Sequence, residues 1–256
     1  MLTVEVRIIP FTIGERMTDL TPISPDVLDT LRRASTATIT TQLFQRGLRN
    51  LFLNGIQPLN TGNCRFVGEA VTLRNIPMRE DIDRVEGFRD PEHPQRKAIE
   101  MVGPGQVLVM DCRGDLRGAS GGNILITRLR VRGAAGLVSD GSIRDSPEVA
   151  QNPFPVFCGG RSANLNLVVH HATDITVPIA CAGVPVYPGD IIVGDDEGVV
   201  VIPRHLAAEI AQPAADQEDM ERFVLEKIAG GAPLRGTYPP NEETLAEYQT
   251  WRLANQ

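Results

Sequence analysis

The sequence predicts an α/β fold in one domain with terminal extensions, on three observations. Short apolar runs bounded by glycine alternate with stretches of helical periodicity. A strand, a helix and a second strand follow one another between Val107 and Asp140, a βαβ-like unit that implies neighbouring parallel strands. No linker divides the 256 residues, and no internal repeat or low-complexity segment is present.

Taken in order, residues 2–9 alternate as a strand does. Ser24-Pro25-Asp26-Val27 opens a helix, with Ser24 as cap and Pro25 at the first helical position. A second helix spans Ala37 to Leu48, with Leu43 and Leu48 on its apolar face. Arg65 to Leu73 reads as a strand, and the charged, proline-bearing stretch Pro77 to His93 as a surface excursion. Gln95 to Val102 is a short helix closed by Gly103-Pro104. Val107 to Asp111 is a buried strand, Gly114 to Gly122 a loop, and Asn123 to Arg132 a helix stopped by Gly133. That helix carries Ile124, Leu125, Ile126, Leu129 and Val131 as its apolar residues. Gly136 to Asp140 is a strand, ended by a turn at Asp140-Gly141. Phe154–Cys158, Ile179–Tyr187, Asp190–Val193 and Gly198–Ile202 are strand-like, with turns at Pro188-Gly189-Asp190 and at Asp195 to Gly198. A C-terminal helical tail runs from about 205 to 256, its last helix around Glu243 to Leu253.

Composition narrows the function classes. Lys plus Arg is 25 against 32 Asp plus Glu, a net charge of −7, which argues against general nucleic-acid binding. No apolar run reaches the ~20 residues of a membrane helix, and Glu5 and Arg7 interrupt the N-terminal stretch as no signal peptide would. The expectation is a cytoplasmic protein with no membrane partner. Cys64, Cys112, Cys158 and Cys181 lie far apart with no zinc spacing, which suits four reduced, mostly buried thiols.

Two stretches could carry chemistry. Gly121-Gly122-Asn123-Ile124-Leu125 opens a helix, where glycines permit close approach and free N–H groups suit a carboxylate or phosphate. Neither a dinucleotide fingerprint nor a P-loop lysine accompanies it. Asp140 to Glu148 follows a buried strand, where α/β folds place their sites. There Arg144 offers a planar fork to a carboxylate or developing enolate, Asp145 can hold a hard cation through one oxygen plus waters, and Glu148 could orient such water. A plain surface turn, with Asp145 capping a short helix at Ser146-Pro147-Glu148, is the other reading. Gly118 to Gly122 also fits the GxSxG pattern of serine hydrolases. That elbow must follow directly on a strand, whereas five residues from Arg113 to Arg117 intervene here. Ser120 reads instead as a loop residue, and His170-His171 as a pair without a third metal ligand. Asp195 to Gly198 is acidic enough for a cation but is the pattern of a hairpin turn.

Taken together, the run GGNILITRLRVRGAAGLVSDGSIRDSPE resembles the signature of the RraA-like family, and VPVYPGDIIVGDDEGVVVIPR resembles its closing strands. That family includes class II pyruvate aldolases acting on 4-hydroxy-4-methyl-2-oxoglutarate and the regulator of ribonuclease E activity A. The resemblance covers about residues 30–210. It implies a swivelling β/β/α arrangement and a homotrimer or hexamer. It also implies a metal-dependent lyase that cleaves a 2-keto-4-hydroxy acid by retro-aldol reaction, with Mg²⁺ or Mn²⁺ as cofactor and pyruvate as product. Oxaloacetate decarboxylation would follow as a side reaction from the same enolate chemistry. By the resemblance, N–H groups of Gly122, Asn123, Ile124 and Leu125 hold the substrate carboxylate, Arg144 stabilises the enolate, Asp145 binds the metal and Glu148 supports it from behind. Asn123 departs from the pattern, standing where many aldolases of the family have Asp or Glu. The competing reading is a non-catalytic regulator that binds a ribonuclease, with which a charge of −7 is compatible. The Arg144-Asp145-Glu148 motif favours the enzyme, and no glycine motif supports a methyltransferase.

Overall fold

The computed structural model describes residues 23–255, so the strand expected at 2–9 lies outside the described residues. Helix α1 (Pro25–Leu31) starts where Ser24-Pro25 predicts. Helix α2 (Thr36–Gln45) is capped by the Ser35 hydroxyl, which accepts from the Thr38 N–H. Strands β1 (Gln57–Pro58) and β2 (Phe66–Pro77) follow, then the exposed excursion with a 3₁₀ turn at Val85–Arg89, then α3 (Pro94–Met101). The central unit is β3 (Gln106–Asp111), β4 (Ala119–Gly121), α4 (Asn123–Val131), β5 (Gly136–Ile143), α5 (Ser146–Ala150) and β6 (Val156–Arg161). Next come β7 (His170–Ile175), β8 (Ile179–Cys181), β9 (Val184–Val186), β10 (Ile191–Asp195) and β11 (Gly198–Ile202). Helix α6 (Ala207–Ala229) and helix α7 (Glu242–Ala254) form the tail and pack together through Phe223, Val224 and Tyr248.

One sheet runs in the order β1-β6-β5-β3-β2-β10-β11, with β4 added on β5 and β7 on β2. The pairs β2–β3, β3–β5, β5–β6 and β4–β5 are parallel, as the βαβ pattern implied. The chain between α2 and β1 nearly closes the sheet. Phe52 bridges Val200 of β11, while Gln57 and Pro58 pair with β6.

Alternation along the strands sorts the core into layers. Val107, Val109 and Val138 face inward onto Ile179, Cys181, Val184 and Val186 of the β8–β9 hairpin. Leu108, Met110 and Leu137 face outward onto Ala98 and Ile99 of α3 and Ile126 and Leu129 of α4. Ile191, Val193, Val200 and Ile202 face outward onto α1, α2 and α6. Hairpin, sheet and helices thus stack as β/β/α, the layering that the resemblance implies.

Two local expectations are corrected. The run 114–122 is not all loop, because Ala119, Ser120 and Gly121 form β4 against Ser142 and Ile143. Asp140-Gly141 is not a turn but a bulge inside β5, where pairing with β6 shifts between Ser139 and Ser142. The cause is the buried Asp140 carboxylate, which accepts from the N–H groups of Cys112, Gly114 and Ala182. Burial pushes this carboxyl above the ordinary range, with the three donors pulling the other way. Of the apolar residues of α4, Ile126 and Leu129 form the core-facing stripe, and Ile124 and Val131 lie on the outer side, 85% and 68% exposed.

Candidate active site

Strands β4 and β5 are parallel neighbours, so their C-terminal ends emerge together, the position where α/β sheets bind ligands. β4 ends at Gly121 and leads into α4, whereas β5 ends at Ile143 and leads into Arg144-Asp145. The Arg144 N–H donates to the Gly121 carbonyl at 3.0 Å, fastening the two exits together. Asp145 adopts the left-handed region (φ 55°, ψ 32°), which turns its carboxylate toward α4. Its Oδ2 accepts from the Asn123 N–H at 3.1 Å, and its Oδ1 lies 3.4 Å from Arg144 Nε. Asp145 therefore caps the neighbouring α4 and makes no side-chain cap for its own short helix α5.

Gly122 is required by this crossing. A Cβ there would stand 2.6 Å from Asp145 Oδ2 and 2.7 Å from Arg144 Cγ. The first intrahelical bond of α4 runs from the Ile126 N–H to the Gly122 carbonyl, so the N–H groups of residues 122 to 125 have no partner within the helix. Asp145 takes that of Asn123, and those of Gly122, Ile124 and Leu125 open the helix toward the cavity.

That cavity has a volume of about 260 Å³. Gly121, Gly122, Leu125, Arg144, Asp145, Phe88, Arg96 and Leu165 are among the residues that line it. The side chains of Arg144 and Asp145 remain 38% and 39% exposed, accessible to a ligand. Glu148 is exposed on α5 and does not line the cavity. Asn123 presents its backbone to Asp145, while its side-chain oxygen lies 3.4 Å from the Thr127 hydroxyl.

The residues present fit a Mg²⁺ or Mn²⁺ ion in one restricted way. Among the described residues no group of three His, Cys, Asp or Glu side chains could hold an ion, which excludes an all-protein cage there. Asp145 offers one partly exposed carboxylate beside a cavity, which suits Mg²⁺ bound through one carboxylate, waters and ligand oxygens.

Other candidates have structural roles. The Ser120 hydroxyl is buried, 2.8 Å from the Ser139 hydroxyl and donating to the Ser142 carbonyl at 3.0 Å, with no histidine among its partners. His170 is buried with Nε2 3.2 Å from the Gly118 carbonyl oxygen, and His171 pairs with Asp83. All four cysteines are free and buried, and burial pushes the Cys112 thiol up to about 12, which keeps it protonated. Asp195 accepts from the N–H and hydroxyl of Thr36, a structural tie across the fold.

Two lining residues carry no sequence motif. Gln95 is buried and donates from Nε2 to the Ser120 carbonyl at 2.6 Å, tying α3 to β4. Arg96, the next residue, faces the cavity.

Comparison with known proteins bears on the family of the chain. A family model described as RraA-like, Aldolase/RraA, matches residues 25–201. A protein of Halalkalibacterium halodurans, provisionally named a 4-hydroxy-4-methyl-2-oxoglutarate aldolase, is 35% identical over 186 residues, covering 71% of this chain and 81% of the relative. The protein named 4-hydroxy-4-methyl-2-oxoglutarate aldolase in Thermus thermophilus is 31% identical over 143 residues, 56% of this chain and 79% of its own. The crystal structure of RraAS2 from Streptomyces coelicolor, described as an unusual member of the RNase ES inhibitor RraA protein family, superposes with a TM-score of 0.70. It has 34% identity and covers 78% of this chain and 96% of that one.

Proposed function

The chain belongs to the RraA-like, Aldolase/RraA family, and from that membership and its cavity we propose a divalent-metal-dependent lyase that cleaves a 2-keto-4-hydroxy acid to release pyruvate. One observation carries the reading: the open N-terminus of α4 and the Arg144 guanidinium face the same small cavity. The N–H groups of Gly122, Ile124 and Leu125 bind the C1 carboxylate, helped by the positive end of the helix. Arg144 lies beside the keto oxygen. As the C4 hydroxyl loses its proton to water, its O–H electron pair becomes the C=O bond of the departing carbonyl fragment. The C3–C4 bond breaks, its pair forms the C2–C3 double bond, and the keto π pair moves to the keto oxygen. Arg144 stabilises the enolate charge so formed, a contribution of about 10²–10³ in rate for one well-placed donor. C3 then takes up a proton and pyruvate leaves. The apolar Phe88, Leu125 and Leu165 limit water around the developing charge. A Mg²⁺ or Mn²⁺ ion held by Asp145 would supply Lewis-acid polarisation of the keto group. The described lining contains no lysine, so it offers no Schiff-base partner. The same enolate would arise from oxaloacetate by loss of CO₂.

The test is release of pyruvate from a panel of 2-keto-4-hydroxy acids, with and without Mg²⁺ or Mn²⁺. Turnover of at least one acid, abolished by chelator, supports the reading, and silence across the panel refutes it. The likeness to the Streptomyces protein favours a second reading, a regulator that binds a ribonuclease without turnover. Ribonuclease binding with no pyruvate release from any acid would select it.

A further inference from the structure

Arg96 is a second cation lining the cavity, beside Arg144. It sits in the first turn of α3, half-buried, and lines the same 260 Å³ space as Gly122, Leu125 and Arg144. Its guanidinium lies 4.6 Å from the centroid of the Phe88 ring, which in turn stands 5.0 Å from the His93 ring. Among the described residues, no carboxylate and no hydrogen-bond acceptor engages it. The contrast with Arg144 is direct, since that guanidinium already has Asp145 beside it. Burial pushes the Arg96 guanidinium below its ordinary value, with no anion to offset the cost.

A half-buried cation without an anionic partner is suited to receiving one. The helix turn that carries it is anchored. The adjacent Gln95 is hydrogen-bonded to the Ser120 carbonyl, two residues before Gly122, so Arg96 is held against the backbone that opens α4. The cavity is smaller than the ~300–1,000 Å³ usual for drug-sized ligands, so a ligand seated on residues 122–125 lies close to both guanidiniums.

We infer that Arg96 is a specificity-determining residue that binds a second anionic group, a carboxylate at the end of the ligand away from C1. The inference rests on the cavity being a 2-keto acid site, and it selects dicarboxylic over monocarboxylic 2-keto acids. Phe88 packs against the guanidinium from one side, leaving its N–H fork for the carboxylate.

The experiment is calorimetric titration with 2-oxoglutarate and with 2-oxobutanoate, in buffer containing Mg²⁺, on wild type, Arg96→Met and Arg96→Lys. Binding needs no turnover, so the result does not depend on lyase activity. Wild type should prefer 2-oxoglutarate by about 10- to 100-fold, the range for a charged hydrogen-bonded pair. Arg96→Met keeps an unbranched stem against Phe88 and should lose the preference while still binding 2-oxobutanoate within about threefold of wild type. Arg96→Lys keeps the charge and should retain part of the preference. A wild type without preference, or a preference that survives in Arg96→Met, overturns the inference. Equal weakening of both ligands in both variants also overturns it, because that marks a brace for Phe88 and nothing more. An Arg96-dependent preference in a protein that releases no pyruvate would refute the lyase and leave this subsite standing.

Discussion

Replacing Gly122 with alanine should disable the site while leaving the fold intact. The added Cβ would stand 2.6 Å from Asp145 Oδ2, 2.7 Å from Arg144 Cγ and 3.2 Å from Arg144 Cδ. Ordinary contacts begin near ~3.5 Å, so both side chains must retreat by roughly 0.8 Å. Both are more than a third exposed and can move outward, so the strain is relieved at the site and not in the core. The backbone at Gly122 is extended (φ −146°, ψ −178°), a conformation open to alanine. Alanine restricts the unfolded chain by about 0.4–1 kcal/mol, and its poorer capping costs a similar amount. The melting temperature should therefore stay within about 4 °C of wild type, the shift that ~1 kcal/mol produces in a domain this large. Misplacing a catalytic group by about 1 Å costs on the order of 10²-fold, so kcat/KM for pyruvate release should fall by about 10- to 100-fold. Gly87→Ala is the internal control, because nothing lies within 4 Å of the Cβ it would add and it does not line the cavity. The assay is pyruvate release for both variants beside thermal melts. If Gly122→Ala keeps activity within threefold of Gly87→Ala, or if it unfolds, the reasoning fails.

Three further substitutions bear on the same cavity. Arg144→Lys keeps the charge but loses the planar fork, and kcat/KM should drop by about 10²-fold or more with an unchanged melting temperature; steady-state kinetics decide it. Asp145→Asn retains an oxygen to accept from the Asn123 N–H but loses the negative charge. Metal affinity, read by titration calorimetry, and activity should therefore fall together, and a variant with wild-type Mg²⁺ affinity would remove Asp145 from the metal role. Ser120→Ala should retain most activity while costing about 1–3 kcal/mol of stability, because it strips a partner from the buried Ser139 hydroxyl. Abolished activity with an intact fold would restore the hydrolase reading.

Much of the fold was legible because its signals are local. Ser24-Pro25 fixed the start of α1, and Gly198–Ile202 is both the expected and the observed strand. The misreadings fall where a distant partner overrides local chemistry. Ala119-Ser120-Gly121 has no strand propensity of its own and extends because β5 offers it a parallel edge. Asp140-Gly141 has turn chemistry, yet three backbone N–H groups from two other segments converge on the Asp140 carboxylate and hold the chain straight through a bulge. Gly141 is needed there for closeness, since a Cβ would lie 2.7 Å from that of Cys112. Arg96 and Gln95 were invisible for another reason. Charged and polar residues in a proline-led helix start read as a solvated face, and only the packing of α3 against β4 turns them inward.

Those corrections also account for the spacing that made the site readable at all. Gly122 and Arg144 are 22 residues apart. The chain between them is α4, a glycine-stopped return and the eight residues of β5. Had Gly114–Gly122 been only loop, nothing would fix where α4 begins relative to the end of β5. Because residues 119–121 pair as β4 with the last residues of β5, one crossover returns the chain to its own starting edge. The bulge at Asp140 then sets how far β5 runs before Arg144 turns out. The buried hydroxyls of Ser120 and Ser139 join the two strands directly behind the cavity. The residue that mimicked a hydrolase nucleophile is thus part of the fastening that holds the helix N-terminus and the Arg144 guanidinium in register.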